Sequence, residues 1–219
     1  TKAIVAVHYA GVACNLEALK LICVKHGLTL IEDAAQAIDV PYGDSFLGGI
    51  GDLATFSFHE TKNIQCGEGG MLVTNDEALW KKAWAYKDHG KDYDTVYSKQ
   101  HPPGFRWLHE SFGTNWRLTE MQSAIGRVIL KKLPGWVETR RRNAAVLTES
   151  FNKLPALRVT DPPEGIYHSY YKYCVFVRPE MLKSGWDRDR IMAAINAEGI
   201  PCYSGSCSEI YLEKAFQVE

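Results

Sequence analysis

Three side chains stand where their chemistry could be combined. Lys62 lies in Ser57-Phe58-His59-Glu60-Thr61-Lys62-Asn63, between an apolar run at residues 53–58 and the tight turn Gly67-Glu68-Gly69-Gly70. Asp33 lies in Glu32-Asp33-Ala34-Ala35-Gln36-Ala37, at the end of an earlier apolar run. A lysine amine on a turn condenses with an aldehyde to a Schiff base. A carboxylate beside a ring nitrogen keeps that ring protonated as an electron sink, and a hydroxyl with backbone N–H groups holds a phosphate. Pyridoxal phosphate (PLP) asks for all three, and Lys62, Asp33 and Ser57 supply them in that order. Singly, each has an ordinary use: a solvated lysine, a turn or cap residue, a polar residue of an alternating strand. Only their joint occurrence is specific.

The elements that must position these residues alternate strand and helix. Residues 3–7 are a β-branched run, and Asn15 can cap a helix whose Leu16, Leu19, Ile22 and Cys23 fall on one face. Gly27 closes that helix and residues 28–31 form a second strand. This is a βαβ unit, so the two strands are expected to be parallel, with ligands gathering beyond their carboxyl ends where Asp33 and Gln36 emerge. After the glycine-rich residues 43–51 come strands at 53–58 and 71–74, too closely connected for a crossover helix and therefore antiparallel.

Asn75 or Asp76 starts a helix to about residue 88, and residues 90–117 read as a long functional or mobile loop. Thr119 and Gln122 form a capping box for a helix that Pro134 is expected to end, with a second helix over residues 135–153 bridging two domains. Beyond Pro155 the pattern predicts strands at 157–159, 170–177 and 200–203. Asp187 caps a helix there that turns Ile191, Ala194 and Ile195 inward. The expected division is a large domain over residues 1–153 and a small α+β domain over 154–219.

A chain of 219 residues with 46% hydrophobic content and a net charge of −1 can build such a core, and it has no basic excess for nucleic acid. No apolar run spans a membrane and no leader reads as a signal peptide, so a cytoplasmic enzyme is expected. Cysteines at 14, 23, 66, 174, 202 and 207 contain no C-x-x-C; reduced thiols are expected and no metal site. The chain opens at Thr1 already in a strand pattern and stops soon after Tyr211-Leu212, so both ends are expected to be cut.

Other features favour plainer readings. Gly49-Ile50-Gly51 is too short for a dinucleotide fingerprint. Lys81, Lys82 and Arg140 to Arg142 read as solvated helix faces, and His59 and His168 as hydrogen-bonded structural histidines. Tyr167, Tyr170, Tyr171 and Tyr173 partly alternate, as in a strand buried on one face.

The succession of Glu-Asp-Ala-Ala-Gln after a strand, Ser-Phe-His-x-x-Lys-Asn and Gly-Glu-Gly-Gly resembles the DegT/DnrJ/EryC1/StrS family of sugar aminotransferases. Gly113-Thr114-Asn115-Trp116-Arg117-Leu118-Thr119-Glu120-Met121-Gln122-Ser123-Ala124 and Arg140-Arg141-Arg142-Asn143 extend the likeness over nearly the whole chain. The resemblance implies a fold-type-I PLP transferase: α/β, a three-layer α/β/α architecture around a mainly parallel sheet, with a smaller α+β C-terminal domain. It implies that Lys62 is the Schiff-base lysine, Asp33 the partner of the pyridinium nitrogen, Gln36 a ligand near the ring hydroxyl and Ser57 a phosphate ligand. Asn115 would reach the phosphate of a neighbouring subunit's cofactor, so a homodimer with shared active sites is expected.

Implied substrates are an amino-acid donor, glutamate, and a nucleotide-linked keto sugar, in lipopolysaccharide and other cell-surface polysaccharide synthesis or secondary-metabolite sugar synthesis. Some relatives are PLP-dependent sugar dehydratases with histidine at the Lys62 position; lysine here favours transamination. A non-catalytic binding or regulatory module on the same fold is the remaining alternative. Relatives also carry a second phosphate loop and a ring-stacking residue upstream of Thr1, and a C-terminal tail that helps close the site.

Overall fold

The computed structural model describes residues 1–104, 106–205 and 209–217. They form two compact units, Thr1–Ala144 with Pro162–Tyr173, and Ala145–Asp161 with Cys174–Glu219. The division therefore passes through a long helix rather than at residue 153, and it returns residues 162–173 to the first unit.

The first unit opens with β1 (Ala3–Val7), α1 (Leu16–His26) and β2 (Thr29–Asp33). Asn15 caps α1 by accepting from the amide of Ala18, and Gly27 ends it in the left-handed region at φ 61°. β1 and β2 pair in parallel from Ala3↔Thr29 to Val7↔Asp33. A small hairpin of β3 (Pro41–Tyr42) and β4 (Ser45–Phe46) precedes β5 (Leu53–Ser57), which pairs in parallel with β2, and β6 (Gly70–Val73), which pairs antiparallel with β5. The sheet order is β1-β2-β5-β6, so the expected βαβ unit and the antiparallel return are both present. Ala6, Leu16, Cys23, Leu30, Ala37, Val40 and Leu47 form the core that α1 closes against the sheet.

α2 (Glu77–Lys87) is capped by Asp76. The stretch read as a loop holds a further short helix, α3 (Tyr93–Tyr97), capped by Asp92, whose carboxylate accepts from the amide and the hydroxyl of Thr95. Its signal, an Asp three residues before a Thr, is too short for periodicity to register. Tyr93 packs edge-on against Trp80 and Trp84 of α2 at 4.8 and 5.1 Å between ring centroids.

Pro134 does not end a helix. α4 runs unbroken over Glu120–Phe151. A proline inside a helix costs about 3 kcal/mol. Here the neighbours on either side repay it: Leu133 and Val137, each 1% exposed, pack with Ile64 in a second core joined by Ile38, Phe58, Ile129 and Tyr167. One helical turn on the same face thus straddles the proline, and burial of two large aliphatic side chains offsets a cost of that size.

The second unit pairs β7 (Leu157–Val159) antiparallel with β8 (Val175–Val177), and carries α5 (Arg188–Ala197) capped by Asp187. Ile191 and Ile195 are partly covered as expected, whereas Ala194 is exposed. Two expected strands differ. Only Val175–Val177 of residues 170–177 is strand. At Tyr170 the φ is 48°, and Arg140 takes the carbonyls of Tyr170 and Tyr171 that a ladder would need. Residues 200–203 form no strand either, because Asn196 exchanges side-chain hydrogen bonds with the backbone of Cys202 and folds the chain back on the end of α5. Cys14, Cys23, Cys66 and Cys202 are thiols, and Cys207 lies outside the described residues. No helix among the described residues is long and apolar enough to cross a membrane.

Candidate active site

Asp33 and Ser57 emerge at the carboxyl ends of adjacent parallel strands. The register places Asp33 opposite Thr55, and Ser57 follows Thr55 by one strand period, so all three share a face. The Asp33 carboxylate accepts from the amide of Ala35 at 3.1 Å, an Asx turn that fixes it at the strand end. Gln36, just beyond, is held from the neighbouring strand: its side-chain oxygen accepts from the amide of Ala10 at 2.6 Å, in the turn after β1. Ser57 accepts from the amide of His59 at 3.3 Å, and the amide of Lys62 donates to the His59 carbonyl at 2.9 Å. Lys62 is half-buried on a turn whose following residues, Asn63 and Ile64, are buried at 5% and 3% exposure. The second core seats Ile64, and that contact with α4 sets where Lys62 stands.

Glu32 faces the opposite way from Asp33. Fully buried, its carboxylate accepts from the amides of Gly48, Ile50 and Gly51 at 2.8, 2.8 and 2.6 Å and from His8 Nε2 at 3.0 Å. The amide of Cys14 donates to His8 Nδ1, so Nε2 carries the ring proton and donates to Glu32. Burial pushes the Glu32 carboxyl up, but His8 and the three amides outweigh it and hold it at about 2. The glycines of the 43–51 stretch are therefore a carboxylate-binding nest, not a nucleotide fingerprint. A Cβ at Gly51 would stand 2.8 Å from the Leu30 carbonyl. Sequence reading missed this use of Glu32, although an acid next to Asp33 and a glycine cluster are both visible in the sequence.

A strap of residues 167–171 closes on the Lys62 turn. Arg141 donates to the His168 carbonyl at 2.9 Å and stacks over Tyr167 at 4.0 Å, while Arg140 donates to the Tyr170 and Tyr171 carbonyls at 3.0 and 3.3 Å. These two arginines, read as a solvated face, are fasteners. His168 is buried; its Nδ1 accepts from the amide of Tyr170, and burial together with the Arg141 charge lowers it to about 4. Lys81, by contrast, pairs with Glu77 and Asp94 on the surface.

Asn115 is exposed; its side-chain oxygen accepts from Arg117 Nε at 3.0 Å and its backbone bridges Asp88. The hydrogen bonds among the described residues tie it to Arg117, not to Lys62, Asp33, Gln36 or Ser57. The Thr119–Gln122 capping box is formed, and Gln122 also donates to the Glu68 carbonyl at 2.6 Å, which brings the start of α4 onto the turn before β6. An open cleft of about 600 Å³ lies at the other, amino edge of the sheet, between Thr29, Asp52 and Asp76. Its acids are already engaged, Asp52 with the Leu30 amide and Asp76 with that of Leu79, and an acidic lining does not recruit phosphate.

Comparison with known proteins gives this geometry a family. The model of the DegT/DnrJ/EryC1/StrS aminotransferase family matches residues 1–217, and the chain belongs to that family. A pleiotropic regulatory protein of Geobacillus stearothermophilus is 37% identical over 203 residues, 91% of this chain and 49% of the relative. The structure of an aminotransferase from Psychrobacter cryohalolentis superposes with a TM-score of 0.92 at 48% identity, over 99% of this chain and 57% of that one. PseC of Helicobacter pylori, an aminotransferase involved in pseudoaminic acid biosynthesis, superposes with a TM-score of 0.83 at 30% identity, over 99% of this chain and 55% of that one. The chain thus spans about half the length of these relatives. The fold is the α/β architecture of fold-type-I PLP enzymes, with a mainly parallel sheet.

Proposed function

We propose that the protein is a PLP-dependent aminotransferase that moves an amino group from an amino acid, glutamate, to a nucleotide-linked keto sugar. It would act in the cytoplasm, in polysaccharide or secondary-metabolite sugar synthesis, as a homodimer with shared sites. The observation that carries the reading is the parallel pairing of β2 and β5, which puts the Asp33 carboxylate and the Ser57 hydroxyl on one face at the carboxyl edge of the sheet, with Lys62 on the turn that follows Ser57. The donor set fits the cofactor, and a further feature supports it: both polar atoms of the Asn63 side chain, next to Lys62, are buried without a hydrogen-bond partner among the described residues.

When bound, PLP supplies a cationic conjugated ring that stabilises negative charge on the carbon bearing the amino group. Lys62 would hold it through its amine and, once displaced by the donor, take the proton from the donor carbon at Nζ. Asp33 would keep the ring nitrogen cationic, each pKa unit of that preference being worth about 1.4 kcal/mol. Ser57 and the amides of the turn after it would hold the phosphate, Gln36 the ring hydroxyl, and Asn115 the phosphate in the other subunit. In transfer to the sugar the same groups work in reverse.

The test is mass spectrometry of products from a panel of keto-sugar nucleotides incubated with glutamate. An amino-sugar nucleotide formed together with the 2-oxo acid is the expected result. Loss of water without transfer of nitrogen would assign a dehydratase instead. A protein that fixes PLP on Lys62 yet converts no member of the panel would favour a regulatory role, as the name of the Geobacillus relative describes for that protein.

A further inference from the structure

Tyr171 meets the Lys62 turn from far along the chain. Its phenol oxygen lies 3.3 Å from Thr61 Oγ1, and Lys62 Nζ stands 4.7 Å from the centre of its ring. Lys172 Nζ lies 4.9 Å from the same ring. The ring is held there by backbone, not by a loose rotamer: Arg140 bonds the carbonyls of residues 170 and 171, and the positive φ of Tyr170 turns the strap. The His168 ring, stacked on Tyr170 at 3.9 Å, braces the turn from below.

The polarity of the contact follows from its neighbours. The amide of Thr61 donates to His59 Nδ1 at 3.2 Å, so that nitrogen is an acceptor and the Thr61 hydroxyl, 3.0 Å away, donates to it as well. Thr61 Oγ1 is then left to accept from the Tyr171 hydroxyl. The phenol proton points to Thr61, and the electron-rich ring faces the lysine.

We propose that Tyr171 is a positioning residue for Lys62, its ring holding the lysine amine in place whenever that amine is not covalently engaged. The inference rests on the reading of Lys62 given above and extends it. A lysine side chain carries about 2 kcal/mol of rotamer entropy, and an amine that must leave and return to one carbon each turnover gains from a fixed resting place. Charge agrees with geometry. Burial pushes the Tyr171 phenol up, but the positive charges of Lys62 and Lys172 favour the phenolate and carry it below the ordinary tyrosine value.

The test uses the intact, cofactor-free protein. Ultraviolet difference titration against Tyr171→Phe isolates the Tyr171 phenol, which is expected to ionise below the ordinary value. Lys62→Met should raise that midpoint by about half a pH unit, the equivalent of a cation–π contact, and Lys81→Met should not move it. The second readout is the rate at which added PLP becomes fixable on Lys62 by borohydride. Tyr171→Leu should slow it roughly two- to fivefold, and Tyr171→Phe, which keeps the ring, should restore most of the loss. A phenol midpoint indifferent to Lys62→Met overturns the proposal, as does a Tyr171→Phe rate as slow as that of Tyr171→Leu. If Tyr171→Leu fails to fold, the titration still decides. Peptide mapping of the fixed cofactor separates the two readings: label on another lysine removes the role given to Lys62 and leaves its coupling to Tyr171 measurable.

Discussion

His8 Nε2 and Glu32 Oε2 lie 3.0 Å apart with both side chains fully buried, at the carboxyl ends of neighbouring parallel strands. The pair anchors the 48–51 nest directly behind Asp33. A buried carboxylate stripped of a partner, or replaced by a group that cannot accept four hydrogen bonds, is costly, on the order of 3 kcal/mol.

Glu32→Gln is therefore expected to lower the unfolding free energy by about that amount, read by urea denaturation at neutral pH. The pH sign follows from a folded carboxyl at about 2 against an ordinary 4.5. The stability that Glu32 lends is fully present above about pH 4.5 and is lost as pH falls towards 2, because the unfolded state then binds the extra proton. The variant should lose that acid slope. A slope unchanged by Glu32→Gln would remove Glu32 as its source.

His168 works in a different window. Its folded value of about 4 lies below the ordinary 6.5, so the native state resists a proton that the unfolded chain takes up. Stability should fall as pH drops from about 6.5 to 4, and His168→Asn, which keeps an acceptor for the Tyr170 amide, should flatten the curve there while leaving the Glu32 region alone. Urea midpoints followed from about pH 7 down to about pH 2 distinguish the two windows, the His168 loss falling above about pH 4 and the Glu32 loss below about pH 4.5.

Much of this was legible in the sequence, and the misses share a cause. Asn15, Gly27, Asp76 and the Thr119–Gln122 box act within one turn of chain, and local chemistry identified them. Pro134 misled because its local cost is offset by Leu133 and Val137 against Ile64, a contact between residues far apart in sequence. Arg140 and Arg141 looked solvated because their acceptors are backbone carbonyls near residue 170, and carbonyls leave no mark on composition. The strand ends that carry Asp33 and Ser57 and the turn that carries Lys62 could be placed because strand ends and turns are local features. Tyr171 was seen only as one tyrosine of an alternating stretch, since its neighbour Lys62 is reached through the strap.

If Lys62 carries the cofactor, Lys62→Ala abolishes both turnover and borohydride-fixable PLP. Lys81→Ala does neither, since Lys81 serves surface ion pairs with Glu77 and Asp94. Peptide mapping that places reduced pyridoxyl on any other lysine would falsify the assignment.

Asp33→Asn tests the electron sink separately from binding. The cofactor should remain bound, while the half-reaction with glutamate slows by orders of magnitude with a smaller change in donor affinity, measured by rapid-mixing absorbance. A normal rate in this variant would mean that another group protonates the ring.

Asn115 lies on the stretch that carries Trp107, Phe112 and Trp116, which are 80%, 99% and 68% exposed. So much aromatic surface in water is characteristic of a face that meets another chain. If Asn115 serves the neighbouring subunit's site, Asn115→Ala and Lys62→Ala proteins are each inactive alone. In a hybrid dimer, one site then joins the wild-type Lys62 of one subunit to the wild-type Asn115 of the other, while the second site carries both changes. Unfolding and refolding an equal mixture makes about half the dimers hybrid, each with one working site of two, so roughly a quarter of wild-type activity should return. Were both residues contributed by one chain to its own site, every site in the hybrid would carry one mutation, and mixing would restore nothing. Size-exclusion chromatography of the active wild-type protein supplies the independent check, since full activity in a monomer is incompatible with a site completed by a second subunit.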